Sequence, residues 1–217
     1  MTAQAGSASS SLDATVVERQ QLRRELRQRR RSLSPAQRTA AHRQFARILL
    51  GSHWASRLLQ AGRRVAVYFA YGHEAGLEHV IALARQRRCV LYLPVITDFR
   101  RSRMRFVRYD VDSTMRINRY GIAEPDARHA EVVPSRQLDL VLLPLVGFDA
   151  HGSRLGSGAG FYDRSLHHLR EGRRWRRPKL IGVGYECQRV ARLQPNRWDV
   201  PLDGILTERG LQRVRRE

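Results

Sequence analysis

The sequence contains a single lysine, Lys179, so arginine supplies the other 39 of its 40 basic residues. Set against 20 acidic residues, this gives a net charge of +20. Such a charge can indicate a nucleic-acid-binding protein, but few aromatic residues lie among the arginines and no zinc-finger, helix-turn-helix or RRM signature is present. Near-complete replacement of lysine by arginine is typical of a compositional bias of the whole genome. We therefore expect anionic small-molecule ligands and incidental polyanion binding at low salt, and no specific nucleic-acid partner.

Long apolar runs are also lacking, and no run reaches the 18 residues that would indicate a membrane span. The only cysteines, Cys89 and Cys187, lie in apolar, strand-like contexts and are interpreted as buried thiols of a reducing cytoplasm, with a disulfide less favoured. Residues 1–16 lack the basic and apolar regions of a signal peptide and are predicted to be a disordered tail. The length fits one domain over 17–208, followed by a basic tail over 209–217.

Hydrophobic periodicity predicts alternating helices and strands. Apolar runs bounded by turn residues predict strands at 65–69, 89–94, 103–109, 138–143, 180–185 and 204–207. Helical spacing predicts helices at 17–31, 35–51, 77–84 and 162–169. The helix at 35–51 has the clearest start, because Ser34 and Gln37 form a capping box with Pro35 at the first helical position. This order predicts an α/β fold of three layers, a mainly parallel sheet with helices on both faces.

A glycine-rich loop follows the apolar run 138–143 and precedes the helix at 162–169. Its glycines stand at positions 152, 156, 158 and 160, and they allow backbone N–H groups to close around an anion. The loop matches neither the Walker pattern nor the Rossmann fingerprint, and a flexible surface turn is the alternative interpretation. Arg154 and Asp163 bracket it with a phosphate-pairing and a metal-binding group, so we expect a phosphate ligand.

The loop also resembles a known family. Its sequence, Arg154-Leu155-Gly156-Ser157-Gly158-Ala159-Gly160-Phe161-Tyr162-Asp163-Arg164 after Gly147-Phe148-Asp149, is similar to the signature loop of 5-formyltetrahydrofolate cyclo-ligase, also called 5,10-methenyltetrahydrofolate synthetase. Three other stretches resemble that family: Arg19-Gln20-Gln21-Leu22-Arg23, Tyr120-Gly121-Ile122-Ala123-Glu124-Pro125 and Glu186-Cys187-Gln188. The resemblance covers 19–208. The loop departs from the usual family residues at Ser157, Ala159 and Phe161.

The resemblance implies a Rossmann-like fold, similar to the NagB/RpiA/CoA-transferase fold, and a cytoplasmic ligase of one-carbon folate metabolism. It implies conversion of 5-formyltetrahydrofolate, with or without a polyglutamate tail, to 5,10-methenyltetrahydrofolate. ATP is the co-substrate and Mg²⁺ the cofactor, and ADP and phosphate are released. We expect a monomer with no membrane partner.

The resemblance also implies roles for particular residues. It assigns catalytic roles to Arg154 and Tyr162 and a metal site to Asp163 and Asp199. Folate contacts fall on Phe69, Glu74, Ser157, Gly158, Ala159, Gly160 and Phe161. ATP contacts fall on Arg19, Gln20, Gln21, Leu22, Arg23, Arg154, Leu155, Gly156, Ser157, Gly158, Ala159, Gly160, Phe161 and Tyr162.

Some of these residues also have an alternative interpretation without a role in ligand binding. The arginines at 19, 23, 27 and 30 follow one side of a helix, which taken alone indicates a solvated basic surface. Glu74 could be an ordinary acid near a helix N-terminus. Asp149 is expected to order the loop rather than to bind metal. For the whole chain, the alternative function is a non-catalytic, basic nucleotide- or RNA-binding module on the same fold.

Overall fold

The computed structural model describes residues 5–118, 121–170 and 177–214. Its helices are α1 (Ala5–Arg31), α2 (Pro35–Gly51), α3 (His53–Ser56), α4 (Glu78–Gln86) and α5 (Phe161–Ser165), with 3₁₀ turns at Ser135–Gln137, His167–Leu169 and Glu186–Gln188. Its strands are β1 (Arg64–Ala66), β2 (Val90–Asp98), β3 (Arg103–Tyr109), β4 (Met115–Ile117), β5 (Ala123–Pro125), β6 (Val132–Val133), β7 (Leu140–Pro144), β8 (Gly147–Phe148), β9 (Arg154–Leu155), β10 (Lys179–Val183), β11 (Gly204–Thr207) and β12 (Gly210–Arg213).

The main sheet of the described residues has eight strands in the order β12-β11-β10-β7-β1-β2-β3-β6. Its five central strands are parallel, while β12, β3 and β6 join the edges antiparallel. From β1 the chain moves to β2 on one side, whereas β7 and the later strands add on the other side. This reversal makes a topological switch point between β1 and β7, where parallel sheets leave a ligand-binding crevice at the carboxyl ends of their strands. The loops after β1 and β7 border this crevice.

Helices and buried side chains cover both faces of the sheet. Along β7, Leu140 and Leu142 pack into a core under α2 and α4, whereas Val141 and Leu143 pack into a second core with residues that follow α5. Successive strand residues point to opposite faces, so an uninterrupted apolar strand is what a sheet buried on both sides requires. The predicted three-layer α/β fold with a mainly parallel sheet is confirmed.

Helix α1 lies at the carboxyl end of the sheet. Its Leu26 is fully buried in a third small core with Val146, Leu155 and Leu193. A side chain at Gly147 would put its Cβ 2.4 Å from the Leu26 Cδ1 atom, so the buried Leu26 side chain of α1 would have to shift if this position in β8 were not glycine. The helix is thereby held over the glycine loop, with its arginines beside it.

Several element predictions are confirmed at the level of single residues. Helix α2 covers 35–51 as predicted, and both bonds of its capping box are present: Gln37 N donates to the Ser34 hydroxyl at 3.2 Å, and Ser34 N donates to the Gln37 side chain at 2.8 Å. Strands β3 and β11 have the predicted bounds. Cys89 and Cys187 are free thiols, but both are half-buried instead of buried as predicted. No helix in the described part of the chain has the length and apolarity to cross a membrane.

Several boundaries need correction. Strand β1 ends at Ala66 instead of residue 69, and β2 continues to Asp98 instead of ending at residue 94. The helix predicted at 162–169 is two pieces, α5 and a 3₁₀ turn, because the chain leaves helical geometry at Leu166 to bury that side chain. Helix α1, predicted to start at Val17, starts at Ala5. The predicted tail at 209–217 includes β12, which pairs antiparallel with β11. Residues 1–4 and 215–217 lie outside the described residues.

Candidate functional site

The buried carboxylate of Asp149 holds the start of the glycine loop in place through hydrogen bonds. This carboxylate is fully buried, and it accepts hydrogen bonds from the backbone N–H groups of His151 at 2.9 Å, Ser153 at 3.0 Å and Leu193 at 2.9 Å. Three backbone donors to one carboxylate use most of its capacity as an acceptor. The prediction that Asp149 orders the loop is confirmed, and it ties the loop to the segment that leads to Asp199.

The backbone of the loop needs glycine at its end. Gly160 precedes α5 with φ 69° and ψ 18°, a left-handed conformation that favours glycine. Ala159 does not have positive φ, so the departure from the family at that position is accommodated without strain. Helix α5 has only five residues. The expectation of a helix N-terminus facing a phosphate therefore needs correction: an anion here would depend on loop N–H groups and arginine side chains.

Arg154 and Asp163 form an ion pair across the loop. The Arg154 Nη2 atom lies 2.5 Å from Asp163 Oδ1, and the two side chains are only 5% and 21% exposed. Arg154 also donates to the backbone oxygen of Val200, while Val200 N donates to Asp163 Oδ1 at 3.0 Å. Burial lowers the pKa of Arg154, and the nearby Asp163 and Asp199 carboxylates oppose that shift. Both Asp163 and Asp199 therefore lie close enough to Arg154 to stabilise its positive charge.

Arginine side chains of α1 contact Asp199 and the glycine loop. Arg19 lies 3.4 Å from Asp199 Oδ2 and donates to Gln194 O at 2.7 Å. Arg23 donates from Nε to Gly156 O at 2.9 Å, and Arg27 donates to Ser157 O at 3.4 Å. Burial lowers the pKa of Arg23, and the charges of Arg19 and Arg27 add to this. The row of positive charge therefore borders the glycine loop instead of facing open solvent.

Glu74 lies in the loop after β1, on the other side of the switch point. Its Oε2 atom accepts a hydrogen bond from Tyr71 N at 3.0 Å, and burial raises the pKa of Glu74 above its ordinary value of 4.5, opposed by that hydrogen bond and by the charge of Arg30. Among the described residues, nothing donates to its Oε1 atom. Glu74 therefore offers one open, half-buried carboxylate oxygen.

Tyr162 links the two ends of the site. Burial raises the pKa of Tyr162 well above its ordinary value, the Glu74 carboxylate adds to the rise, and Arg154 opposes it. The hydroxyl is therefore protonated at neutral pH and can donate a hydrogen bond. Tyr162 is therefore within electrostatic range of both the carboxylate after β1 and Arg154 beside the glycine loop.

Other predicted site residues have different surroundings. Gln20 and Gln21 are exposed, whereas Leu22 and Leu155 contribute to the small core below α1. Phe69 packs edge-on against Tyr109 with ring centroids 5.4 Å apart, and Phe161 packs in the same way against Phe99 at 6.2 Å. Side-chain contacts to a ligand are thus open to the arginines, Tyr162 and Glu74, whereas Leu155 can offer only its backbone.

Sequence reasoning missed some contacts of the loop. Arg27 was seen as part of a basic row but was not assigned to the site, and Arg164 donates to Ala159 O at 3.0 Å. The arginine spacing along α1 was the available signal for Arg27. Arg164 stands within the resembling motif, but nothing in its spacing indicated that its side chain turns back onto the loop.

Asp163 and Asp199, the predicted metal ligands, can be assessed by the oxygen atoms that they leave available for a metal ion. Among the described residues no group of three or more His, Cys, Asp or Glu side chains could hold a metal ion. However, Asp163 accepts its hydrogen bonds at Oδ1 and Asp199 accepts its own at Oδ2, so each carboxylate has its second oxygen open among the described residues. Mg²⁺ commonly takes one or two carboxylates and completes its shell with water and phosphate oxygens. The donor set fits that ion.

Taken together, the switch point, the arginine-lined glycine loop and the paired carboxylates define an α/β protein built to bind a phosphate-bearing ligand. Comparison with known proteins shows to which family of phosphate-binding α/β proteins the chain belongs. A sequence model of the 5-formyltetrahydrofolate cyclo-ligase family matches residues 15–208. The chain belongs to the 5-formyltetrahydrofolate cyclo-ligase family.

Individual relatives support this over nearly the whole chain. A 5-formyltetrahydrofolate cyclo-ligase of Haemophilus influenzae is 36% identical over 191 residues, covering 87% of this chain and 96% of that protein. The Escherichia coli K12 protein of the same name is 33% identical over 189 residues, covering 84% and 96%. The NMR structure of Aquifex aeolicus 5,10-methenyltetrahydrofolate synthetase superposes with a TM-score of 0.74 at 26% identity, covering 92% of this chain and 94% of that one.

Proposed function

We propose that this chain converts 5-formyltetrahydrofolate to 5,10-methenyltetrahydrofolate with hydrolysis of ATP to ADP and phosphate. The observation that carries the proposal is the match of residues 15–208 to the cyclo-ligase family, together with the arginines of α1 on the glycine loop. The proposal includes folates with one or several glutamates. A cytoplasmic location is part of it, because the two free thiols suit a reducing compartment.

The chemical difficulty is an unreactive formyl amide whose oxygen is a poor leaving group. In the proposed reaction the formyl oxygen attacks the γ-phosphorus of ATP and the bond to ADP breaks, which gives an iminophosphate. N10 of the folate then attacks the former formyl carbon and loses its proton, and phosphate leaves with the oxygen. Such a phosphoryl transfer needs positioning and charge neutralisation more than a protein nucleophile.

The phosphate end of the site follows from the contacts around the loop. Backbone N–H groups between Gly156 and Tyr162 would bind phosphate oxygens, and Arg19, Arg23 and Arg154 would offset their charge. All three arginines donate to backbone oxygens, Arg19 to Gln194, Arg23 to Gly156 and Arg154 to Val200. Phosphate oxygens are stronger acceptors for a guanidinium than neutral carbonyls, so these side chains are placed to change partner when ATP binds.

Asp163 and Asp199 would hold Mg²⁺ with their open carboxylate oxygens. When bound, the ion would neutralise phosphate charge and polarise the transferring group. The chain positions the two carboxylates without it, because Val200 N holds Asp163 and Asn196 N holds Asp199 at 2.8 Å.

The folate end lies on the β1 side of the switch point. Glu74 would accept hydrogen bonds from the amino and ring N–H groups of the pterin, for which its open oxygen and its burial suit it. Phe69 and Phe161 would offer aromatic surface, and the loop from Ser157 to Gly160 would bring the formyl group against the γ-phosphate. Tyr162, a protonated hydroxyl within electrostatic range of both ends, would donate to a phosphate oxygen.

The test is absorbance at the methenyl-folate band when purified protein is mixed with 5-formyltetrahydrofolate, ATP and Mg²⁺. We expect an increase that requires both ATP and Mg²⁺. Asp199→Asn should reduce the rate by about 100-fold or more, since a metal-held phosphate loses one of its two carboxylates. The matched control is Asp112→Asn, whose side chain is exposed and distant from the loop in sequence. Absence of any increase in folded wild-type protein would refute the proposal.

A further inference from the structure

Side chains from three parts of the fold hold the backbone of 74–76, the segment after β1 that carries Glu74. The bonds are from the Tyr68 hydroxyl to Ala75 O at 2.6 Å, from Gly76 N to His42 Nε2 at 2.9 Å and from the Tyr185 hydroxyl to Glu74 O at 3.4 Å. Ala75 and Gly76 are buried, so their backbone groups depend on protein partners instead of water. The position of the Glu74 backbone therefore depends on side chains outside the segment.

His42 of α2 is the centre of this arrangement. Because Gly76 N can only donate, the Nε2 atom of the ring accepts, and the ring proton belongs on Nδ1. The Nδ1 atom lies 2.6 Å from Oε1 of Glu78, in the first turn of α4, so it donates there. The Tyr185 hydroxyl lies 2.8 Å from Nε2, and the side chain of His42 is only 15% exposed. One oriented ring thus joins α2, α4 and the segment after β1.

Gly76 leaves room for this ring. A Cβ atom at residue 76 would lie 2.7 Å from His42 Cε1 and 2.4 Å from Glu78 Oε2, so both side chains would have to shift. Gly76 does not have positive φ, so its backbone conformation alone does not call for glycine. What the position requires is the absence of a side chain beside His42 and Glu78. The sequence is therefore fitted to the bond between Gly76 N and the ring.

We propose that His42 is a positioning residue for the folate, which it serves by fixing the backbone of 74–76 and thereby the carboxylate of Glu74. This inference rests on the proposed function, in which Glu74 accepts from the N–H groups of the pterin. Tyr71 N already holds the Oε2 atom of Glu74 at 3.0 Å, so the direction of the other oxygen follows from the backbone. Hydrogen bonds to a rigid ring tolerate little displacement of their acceptor.

The role of His42 should be confined to the folate end of the site. The proposed phosphate contacts come from the glycine loop and from arginines such as Arg19 and Arg23, whose bonds are to the loop and to the segment around Asp199. The bonds of His42 are to the segment after β1, to α4 and to Tyr185. Loss of the ring should therefore weaken the binding of folate and leave that of ATP nearly unchanged.

The experiment compares His42→Leu with His42→Gln. Leucine cannot accept from Gly76 N, whereas the glutamine amide oxygen reaches the position of the Nε2 atom and can accept there. For His42→Leu we expect the KM for 5-formyltetrahydrofolate to rise about 5- to 30-fold and the KM for ATP to change less than about twofold. His42→Gln should recover most of the folate affinity. The control is His53→Leu, at an exposed histidine of α3, which should match wild type in both constants.

A double-variant cycle tests whether His42 acts through Glu74. In Glu74→Ala protein the pterin acceptor is already absent, so adding His42→Leu should raise the folate KM by less than about twofold. A general effect on the fold would instead multiply the two changes, because independent losses add in free energy. Multiplied changes in the double variant would overturn the inference.

Other outcomes separate the inference from the function on which it rests. An unchanged folate KM in folded His42→Leu protein, or an equal rise in both KM values, would also overturn it, while turnover by wild type would still uphold the proposed function. Wild-type protein without turnover would refute that function, and calorimetric dissociation constants for 5-formyltetrahydrofolate would then replace KM in the same comparison. Absence of folate binding by wild type would overturn both. If His42→Leu does not fold, Glu78→Ala removes the carboxylate that orients the ring, and a folate KM that rises no more than the ATP KM in this variant would overturn the inference.

Discussion

The ion pair between Arg154 and Asp163 makes a strong prediction about stability. Asp163→Ala would leave a guanidinium that is only 5% exposed with the backbone oxygen of Val200 as its remaining partner. Removing one member of a buried ion pair costs about 3 to 5 kcal/mol, because the other charge stays buried and uncompensated. Asp163 is itself 21% exposed, so water can partly replace it, and the lower end of this range applies. We expect a loss of about 3 kcal/mol.

The measurement is thermal unfolding by calorimetry without ATP or Mg²⁺. For a chain of this length, 1 kcal/mol corresponds to about 2 to 4 °C, so the Tm of Asp163→Ala should fall by about 6 to 12 °C. Asp163→Asn should lose less, because its amide oxygen can still accept from Arg154 and Val200. The double variant Arg154→Met/Asp163→Ala should recover most of the loss, since no charge is then left behind. A Tm for Asp163→Ala within about 2 °C of wild type would refute this reasoning.

This prediction decides how the metal site should be tested. Loss of activity in Asp163→Ala would mix a lost ligand with a damaged loop, because the same carboxylate holds Arg154 and Val200 N. Asp199 is the cleaner position. Its partner Arg19 is 16% exposed and also donates to Gln194 O, so it keeps an acceptor when Asp199 is changed.

Two further predictions concern Glu74 and Gly160. Burial raises the pKa of Glu74 in the folded protein, so the ionised carboxylate destabilises the fold as the pH rises from 4.5 through this raised pKa. Glu74→Gln should therefore raise the Tm at pH 7, and this gain should be lost below the ordinary pKa of 4.5. The same variant should weaken folate binding at neutral pH. Calorimetric unfolding and binding across pH test this, and a Tm gain that persists at pH 4 would contradict it. Gly160→Ala places alanine at φ 69°, which costs about 1 to 2 kcal/mol and should lower the Tm by about 2 to 8 °C. Gly156→Ala, where φ is not positive and an added Cβ meets nothing within 4 Å, is the matched control, and equal Tm changes would contradict the backbone argument.

The sequence predicted those elements whose local signals agree with their tertiary environment. The capping box at Ser34 and the apolar run of β11 carry their own boundaries, and both are confirmed. The helix at 162–169 failed because its periodicity could not show that Leu166 leaves the helix to reach the second core. Strand β12 was missed since the segment 209–216 around it is arginine-rich and resembles a tail, and only pairing with β11 makes it a strand.

In the candidate site too, local sequence signals predicted some features, whereas others depend on tertiary contacts. The loop and its bracketing charges were visible as a motif, but the ion pair of Arg154 with Asp163 joins positions nine residues apart through a turn whose path the sequence does not encode locally. The arginine row on α1 was visible as a periodic pattern, yet spacing alone indicates a solvated surface equally well. What decides between the two is the position of α1, and that depends on Leu26 meeting a glycine at 147.

The two ion pairs of the site have a consequence for how its ligand would bind. Arg19 is paired with Asp199 and Arg154 with Asp163, so the two carboxylates proposed to hold Mg²⁺ neutralise two of the three arginines proposed to bind phosphate. A phosphate that arrived alone would compete with the carboxylates for these arginines, and a cation that arrived alone would take the carboxylates and leave buried Arg154 uncompensated. When metal and phosphate bind together, each charge that is released finds a new partner. With Mg²⁺ held as proposed, the arrangement would favour MgATP as a single ligand over either component, which is the form of substrate that a phosphoryl transfer needs.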